Sequence, residues 1–208
     1  METPIISLND VTISHDDGAL LSHVNLNIAP GEFVYLIGRS GAGKTSLLRT
    51  LYADHSIDSG QATVCGMDLV RLKHRHIPTL RRKIGIVFQN FRLLKDRNVY
   101  DNLAFVLQAT GWKKSDMDQQ ITKTLEAVGI ADKAYSSIHQ LSEGEQQRVG
   151  IARAIINSPS LILADEPTGN LDPATSSDIM QLLLDINQQT GTTMLISTHE
   201  FMMIDKFQ

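Results

Sequence analysis

Residues 38–45 read Gly38-Arg39-Ser40-Gly41-Ala42-Gly43-Lys44-Thr45, which matches the pattern G-x-x-x-x-G-K-[ST]. The stretch follows the apolar run 33–37 and opens a segment of helical character at 46–51. Glycines let backbone N–H groups turn inward around an anion, and a helix N-terminus adds free N–H groups and a favourable dipole. The sequence therefore predicts a strand, a phosphate-binding loop and a helix in that order, with a nucleoside triphosphate as the ligand.

This glycine loop also predicts individual roles. Lys44 is expected to contact the β- and γ-phosphates, and the Thr45 hydroxyl is expected to bind Mg²⁺. The predicted nucleotide contacts are Gly38, Arg39, Ser40, Gly41, Ala42, Gly43, Lys44, Thr45 and Ser46.

The composition of the 208 residues is that of a single globular domain, and the formal net charge of −4 argues against a nucleic-acid partner. A local basic cluster is either a solvated face or a contact for anionic lipid or an acidic partner; it comprises Arg71, Lys73, His74, Arg75, His76, Arg81, Arg82 and Lys83. The one cysteine, Cys65, fits a reducing cytoplasm, and no signal peptide or membrane-spanning stretch is predicted.

The hydrophobic pattern divides the chain into three parts. Alternating apolar residues in 6–13 and 24–28 predict antiparallel strands, whereas the apolar runs 33–37, 84–88, 161–164 and 194–196 predict buried parallel strands. Helical spacing marks 99–107, 117–128 and 146–156. We expect one α/β domain, with a mostly parallel core from 1–94 and 158–208, an N-terminal antiparallel β part, and a helical insertion at 95–157.

Polar residues follow each predicted parallel strand: the glycine loop, Gln89, the pair Asp165-Glu166, and the run 197–199 that ends at His199. Ligands of open α/β sheets bind beyond the carboxyl ends of the strands, so these residues are expected to share one site. Asp165 is the expected Mg²⁺-holding carboxylate, Glu166 is placed to polarise the attacking water, and His199 could contact the γ-phosphate. Taken alone, Asp165 and Glu166 could simply be acidic residues where the chain leaves the strand before Pro167. The glycine loop upstream favours a role in phosphoryl transfer instead.

Residues 141–149 read Leu-Ser-Glu-Gly-Glu-Gln-Gln-Arg-Val. Locally, Ser142 and Glu145 form the pattern of a capping box that opens a helix. The whole segment resembles the signature of ABC-transporter ATPases, and the glycine loop, Gln89, 161–166, 169–172 and His199 match that family's other motifs in order. The resemblance covers nearly the whole chain and implies a P-loop (RecA-like) ATPase that hydrolyses ATP with Mg²⁺.

The resemblance also implies several roles. Two copies would pair head to tail on ATP binding, so that Ser142, Gly144 and Glu145 act on the partner copy's nucleotide and Asp172 lies in the D-loop. Gln89 would help to hold Mg²⁺, and His15 stands where the family usually stacks an aromatic ring on adenine. Glu143 departs from the family by replacing the first signature glycine. The family generally continues beyond the point where this sequence ends, at Gln208, so we expect a shortened or partly disordered C-terminus.

The stretch 91–102 lies where the family docks a membrane protein. Its residues 93–102 read Leu-Leu-Lys-Asp-Arg-Asn-Val-Tyr-Asp-Asn and resemble the bacterial cell-division branch of the family. That branch implies an integral membrane partner docked between Phe91 and Asn102, and a peripheral location on the cytoplasmic face of the bacterial plasma membrane. The alternatives are a lipoprotein-release or macrolide-type exporter subunit, and an ATP-binding scaffold with little turnover.

Overall fold

A computed structural model describes residues 3–15 and 18–199. Eight strands lie in this part of the chain: β1 (Ile6–His15), β2 (Gly18–Ile28), β3 (Phe33–Ile37), β4 (Ser59–Val64), β5 (Met67–Asp68), β6 (Ile84–Val87), β7 (Leu161–Asp165) and β8 (Thr193–Thr198). Six α-helices accompany them: α1 (Lys44–Leu51), α2 (Ile77–Arg81), α3 (Val99–Ala109), α4 (Lys114–Ala127), α5 (Glu143–Ile155) and α6 (Pro173–Thr190). None of these helices is long and apolar enough to cross a membrane.

The N-terminal strands form an antiparallel sheet in the order β2-β1-β4-β5. Strand β1 pairs with β2 from Ile6↔Ile28 onward, and Ile6, Leu8, Val11 and Ile13 are buried, with one extra residue between Leu8 and Val11 where the register shifts. The period of two therefore places one face of this sheet in the core, as the sequence pattern predicted. The same core includes Leu47, Leu48 and Leu51 of α1.

The second sheet is parallel, with the order β3-β8-β7-β6. Its central strands β7 and β8 are buried on both faces, and each contains a continuous apolar run, 161–164 and 194–196. Leu161, Leu163 and Leu195 lie in the core shared with the antiparallel sheet and α1, whereas the intervening apolar residues lie in the core shared with α3, α4, α5 and α6. The register pairs Asp165 with Ser197, which brings the polar ends of two strands side by side.

Strand β3 differs from the prediction of a fully buried strand. It pairs with β8 and is the outer strand of the parallel sheet, and its residues are only half-buried, with Ile37 44% exposed. Its outer position leaves one side without a neighbouring strand within the described residues, but β6, the other outer strand, is mostly buried, so position explains only part of the difference. The apolar run 33–37 correctly predicted a strand of the parallel sheet, but it did not predict that this strand would be an outer one.

The helices α3, α4 and α5 correspond to the three helical segments predicted from spacing, and they pack together in one apolar core. The longest helix, α6, was not predicted. Its start and end signals are nevertheless present: Asp172 caps its N-terminus, Pro173 occupies the first turn, and Gly191 ends it with φ 68°. The residues that start and end α6 were therefore visible in the sequence. The helix was missed because polar residues interrupt its apolar ones.

Candidate nucleotide-binding site

The glycine loop runs from the end of β3 at Ile37 to the start of α1 at Lys44. Gly41 and Gly43 have φ of 80° and 86°, a conformation that other residues adopt only with strain. A Cβ on Gly43 would lie 2.9 Å from Leu21 Cδ2, because β2 packs directly behind the loop. Backbone geometry therefore favours glycine at both positions, and packing against Leu21 adds a second reason at Gly43.

The loop borders a cavity of about 340 Å³ that also reaches two other strand ends. The lining residues are Leu20, Ser40, Gly41, Gly43, Lys44, Thr45, Ser46, Gln89 and Glu166. Residues that lie far apart in the sequence thus surround one volume at the carboxyl edge of the parallel sheet. The structure places the glycine loop, Gln89 and Glu166 together, as their positions after strands led us to expect.

Lys44 is nearly buried and holds the loop around its own ammonium group. Its Nζ donates to the carbonyl oxygens of Gly38 (2.8 Å) and Arg39 (3.2 Å). It also lies 3.4 Å from Oε1 of Glu166. The same carboxylate oxygen is 3.1 Å from Nδ1 of His199. The Glu166 carboxylate is therefore held between the lysine of the loop and the histidine after β8.

The backbone of Glu166 is itself constrained. Its φ is 45°, which is unusual for a residue with a side chain, and its N–H lies 3.1 Å from both the carbonyl oxygen and the hydroxyl of Ser197. Such strain persists only where the surroundings impose it, and it is concentrated at functional sites. The turn after β7 aims this carboxylate at the loop.

Asp165 and Thr45 form a small group of oxygens beside the cavity. The Thr45 hydroxyl donates to Asp165 Oδ1 at 3.1 Å, and the Ser197 hydroxyl donates to the same oxygen at 2.7 Å. Hydroxyl and carboxylate oxygens are the ligands that Mg²⁺ prefers. No group of three His, Cys, Asp or Glu side chains in the described chain is arranged to hold a metal. A magnesium ion here would therefore complete its shell with phosphate oxygens and water, as it usually does.

Gln89 is positioned by the segment that follows Glu166. The Asn170 side chain donates to the carbonyl oxygen of Gln89 at 3.1 Å and lies 3.3 Å from Asn90 Oδ1. A Cβ on Gly169 would lie 3.0 Å from the Gln89 amide nitrogen, so the two segments are in close contact. Asn170 was not among the predicted site residues. Asn170 lies in the motif 169–172, but the motif did not indicate that its side chain would bond Gln89 and Asn90.

The signature residues lie at the start of α5. Ser142 caps the helix through the backbone N–H of Glu145 (3.2 Å), and Glu145 Oε2 accepts from the Ser142 N–H (2.8 Å) and hydroxyl (3.0 Å), so the predicted capping box is present. These hydrogen bonds hold the pKa of Glu145 below its ordinary value. Ser142 and Glu143 are exposed. None of the signature residues lines the cavity at the glycine loop.

Asp172 caps α6 next to this helix end. Its carboxylate accepts from the N–H groups of Ala174 and Thr175 and from the Thr175 hydroxyl (2.5 Å). The hydrogen bond from the Thr175 hydroxyl is the main reason that the pKa of Asp172 lies below its ordinary value. A Cβ on Gly144 would come within 2.6 Å of Thr175 Cγ2. The predicted D-loop residue and the signature helix are thus joined through Thr175.

Two predictions fall outside what the structure describes. His15 is the last residue of β1, but its side chain is not among the described ones, so its role at the adenine stays a prediction. The expectation for the C-terminus concerns residues beyond 199, which also lie outside the described part.

A parallel sheet whose strand ends bring a glycine loop, a hydroxyl–carboxylate pair and a second carboxylate to one cavity defines a P-loop nucleoside triphosphatase. The model of the ABC transporter family matches residues 21–169, so the chain belongs to that family. It is an ATPase.

Curated relatives extend the similarity over most of the chain. A protein named "Cell division ATP-binding protein FtsE" from Mycobacterium tuberculosis is 47% identical over 206 residues, covering 98% of this chain and 89% of the relative. Proteins of the same name are 44% identical in Streptococcus pneumoniae serotype 2 (97% and 87% covered) and 45% identical in Escherichia coli (89% and 83% covered).

Solved structures share the fold. The cbiO1 protein of Clostridium perfringens, part of an ABC transporter complex, superposes with a TM-score of 0.91 at 28% identity, covering 99% of this chain and 82% of the other. The ATP-binding cassette MJ0796, solved as a dimer in a post-hydrolysis state bound to ADP and Pi, has a TM-score of 0.85 at 33% identity, with 95% and 89% covered.

Proposed function

We propose that the protein is the ATP-hydrolysing subunit of a bacterial cell-division complex, in which it drives an integral membrane partner of the FtsX type and thereby activates peptidoglycan hydrolysis. The observation that carries the proposal is the similarity to FtsE proteins along nearly the whole chain. The stretch 93–102, whose sequence resembles that branch, supports it. An exporter subunit for lipoproteins or macrolides remains the alternative that the experiment below must separate.

The chemistry at the site would be hydrolysis of MgATP. Lys44 and the N–H groups of the glycine loop would bind the phosphates, and Thr45, Asp165 and Gln89 would hold Mg²⁺, which neutralises charge on the phosphates. Glu166 would accept the proton of the attacking water, since it lines the cavity beside Lys44, the residue expected to bind the phosphates. His199, on the other side of that carboxylate, would contact the γ-phosphate.

The active form would be a head-to-tail homodimer closed by ATP. The exposed capped start of α5 supports this, because Ser142, Gly144 and Glu145 lie outside their own cavity and remain available to a second copy. Asp172, also exposed, lies beside this helix end and would belong to the same interface. The dimeric structures of the similar cassette MJ0796 point the same way.

The membrane partner would dock on the segment Phe91–Asn102, on the cytoplasmic face of the membrane. Buried Asn102 braces this segment: its side chain accepts from the Leu94 N–H (2.8 Å) and donates to the carbonyl oxygens of Leu94 (3.1 Å) and Asn98 (2.8 Å). Residues 95–97 are exposed between these bonds, and the Arg97 guanidinium lies 5.2 Å from the centre of the half-exposed Phe105 ring. The structure thus presents a preformed, charged turn with an aromatic ring beside it.

The test is capture of the membrane partner in detergent. We expect the chain to co-purify with a co-expressed FtsX-type protein, and the complex to release phosphate from ATP only with Mg²⁺. Arg97→Ala should weaken capture, whereas Lys113→Ala, which removes another exposed cation from a different loop, should not. Capture of a lipoprotein- or macrolide-exporter protein in place of the FtsX-type protein would establish the exporter alternative. Capture without any Mg²⁺-dependent phosphate release would establish the scaffold.

A further inference from the structure

The segment that follows Gln89 has an unusual backbone. Phe91 and Arg92 have φ of 53° and 48°, so two consecutive residues with side chains occupy the left-handed region. Single residues of this kind are uncommon, and a pair needs support from outside the segment. Gln89, which reaches the nucleotide cavity, lies only two residues before this pair.

The support comes from Arg153, near the end of α5. Its Nη1 donates to the carbonyl oxygen of Arg92 at 2.5 Å, and its Nη2 donates to that of Phe91 at 2.8 Å. A planar guanidinium can hold two neighbouring acceptors at once, which a lysine ammonium does with poorer geometry. We call this pair of hydrogen bonds the Arg153 fork. It bonds the carbonyl groups of the two strained residues themselves.

Other contacts hold the same segment from its remaining sides. The Arg92 guanidinium lies 4.5 Å from the centre of the Phe88 ring, and Asn170 bonds Gln89 and Asn90 from the segment after Glu166. The Arg153 fork differs from these contacts because it comes from α5, the helix that Ser142 caps. One rigid helix therefore carries both the signature residues and the support of the Gln89 segment.

We propose that Arg153 is a positioning residue for Gln89: the fork holds the strained pair 91–92, keeps Gln89 in the nucleotide cavity, and makes α5 and this segment move together. The inference rests on the proposed ATP hydrolysis for its kinetic consequence. Its structural consequence, a segment held by the fork, can be measured without hydrolysis. Loss of the fork lets the pair relax toward ordinary backbone angles, which displaces Gln89 but leaves Lys44 and the glycine loop in place.

The kinetic test compares two arginines of the same helix. Arg148 also donates to a backbone carbonyl, that of Val128 at 2.7 Å, but it does not contact the Gln89 segment. Arg153→Lys should lower kcat about tenfold, the typical effect of removing a partner that orients a metal-site residue, with KM for ATP unchanged. Arg148→Lys should leave both constants unchanged. Equal kcat values for the two variants, or a change confined to KM, would overturn the inference.

A double variant then separates positioning from general weakening. If Arg153 acts through Gln89, Arg153→Lys should cause no further loss of kcat in a Gln89→Ala background. Effects that multiply in the double variant would show that Arg153 contributes by another route and would refute the proposal. Thermal unfolding of Arg153→Lys and Arg148→Lys checks that the two variants are folded to a similar degree.

Hydrogen–deuterium exchange keeps the inference testable apart from activity. Amide exchange in 89–94 should become faster in Arg153→Lys and stay unchanged in Arg148→Lys, with no nucleotide present. If exchange is faster in Arg153→Lys but the wild-type protein releases no phosphate, the proposed function is refuted, while the structural role of the fork is supported. Unchanged exchange in Arg153→Lys would refute the fork even if the protein proves to be an active ATPase.

Discussion

Replacing Gly144 by alanine tests whether the signature helix and the start of α6 are packed as tightly as the structure shows. The new Cβ would lie 2.6 Å from Thr175 Cγ2, a distance that real side chains do not tolerate. Thr175 cannot rotate freely to relieve the contact, because its hydroxyl is bonded to Asp172 at 2.5 Å. Either the two helix ends separate slightly or this hydrogen bond is lost.

Two opposing terms set the magnitude. Forcing an extra methyl group into a packed site costs about 1–3 kcal/mol. Gly144 is the second residue of α5, so alanine there returns at most about 1 kcal/mol, the value for a helix interior. The expected net change is a loss of about 1 kcal/mol in the free energy of unfolding, which for a chain of this size lowers Tm by about 2–4 °C. Thermal unfolding followed by circular dichroism measures this difference.

The sign should reverse in a second background. Thr175→Ser removes Cγ2 but keeps the hydroxyl that Asp172 accepts, so alanine at position 144 then meets no close carbon. In that background Gly144→Ala should raise Tm by about 2 °C through helix propensity alone. If Gly144→Ala lowers Tm equally in both backgrounds, Thr175 is not the cause and the packing argument is wrong.

Three further predictions concern charge at the site. Glu166→Gln should abolish phosphate release and let an ATP-bound dimer accumulate, as measured by light scattering; a folded variant that stays monomeric in ATP would contradict the closed-dimer mechanism. Glu143→Gly should increase ATP-dependent dimerisation, because it removes a carboxylate from a helix end that would face a phosphate; an unchanged dimer fraction would place that side chain away from the nucleotide. The depressed pKa of Glu145 means that its carboxylate stabilises the fold fully above the ordinary value of 4.5 and loses this effect as pH falls through the lower folded pKa. The Tm difference between wild type and Glu145→Ala should therefore shrink from pH 7 to pH 3, and a constant difference would rule out this carboxylate as the source.

Local patterns predicted the parts of the fold and site that local physics determines. The glycine loop, the capping box at Ser142 and the apolar strands each depend on a few neighbouring residues, and the structure contains all three. A general rule of parallel sheets placed Asp165 and Glu166, at the end of β7, near the glycine loop, without knowledge of any distance.

Contacts between distant segments could not be predicted in the same way. The Arg153 fork depends on how α5 lies against the Gln89 segment, and no pattern in either stretch specifies that pairing. The basic cluster at 71–83 illustrates the same limit, because the sequence suggested a single charged face. Arg81 instead bonds the carbonyl oxygen of Tyr52 at 3.1 Å, and Lys83 bonds that of Cys65 at 3.1 Å. Part of the cluster therefore also ties separate segments of the chain together.

The position of Lys44 has a consequence for the order of events at the site. Its ammonium contacts two carbonyl oxygens and the carboxylate of Glu166. A phosphate that binds Lys44 would compete with that carboxylate for the same cation, while His199 would still contact the carboxylate. If Glu166 acts on water as proposed, the negative charge of a bound phosphate would make its carboxylate a better proton acceptor than the contact with Lys44 alone allows.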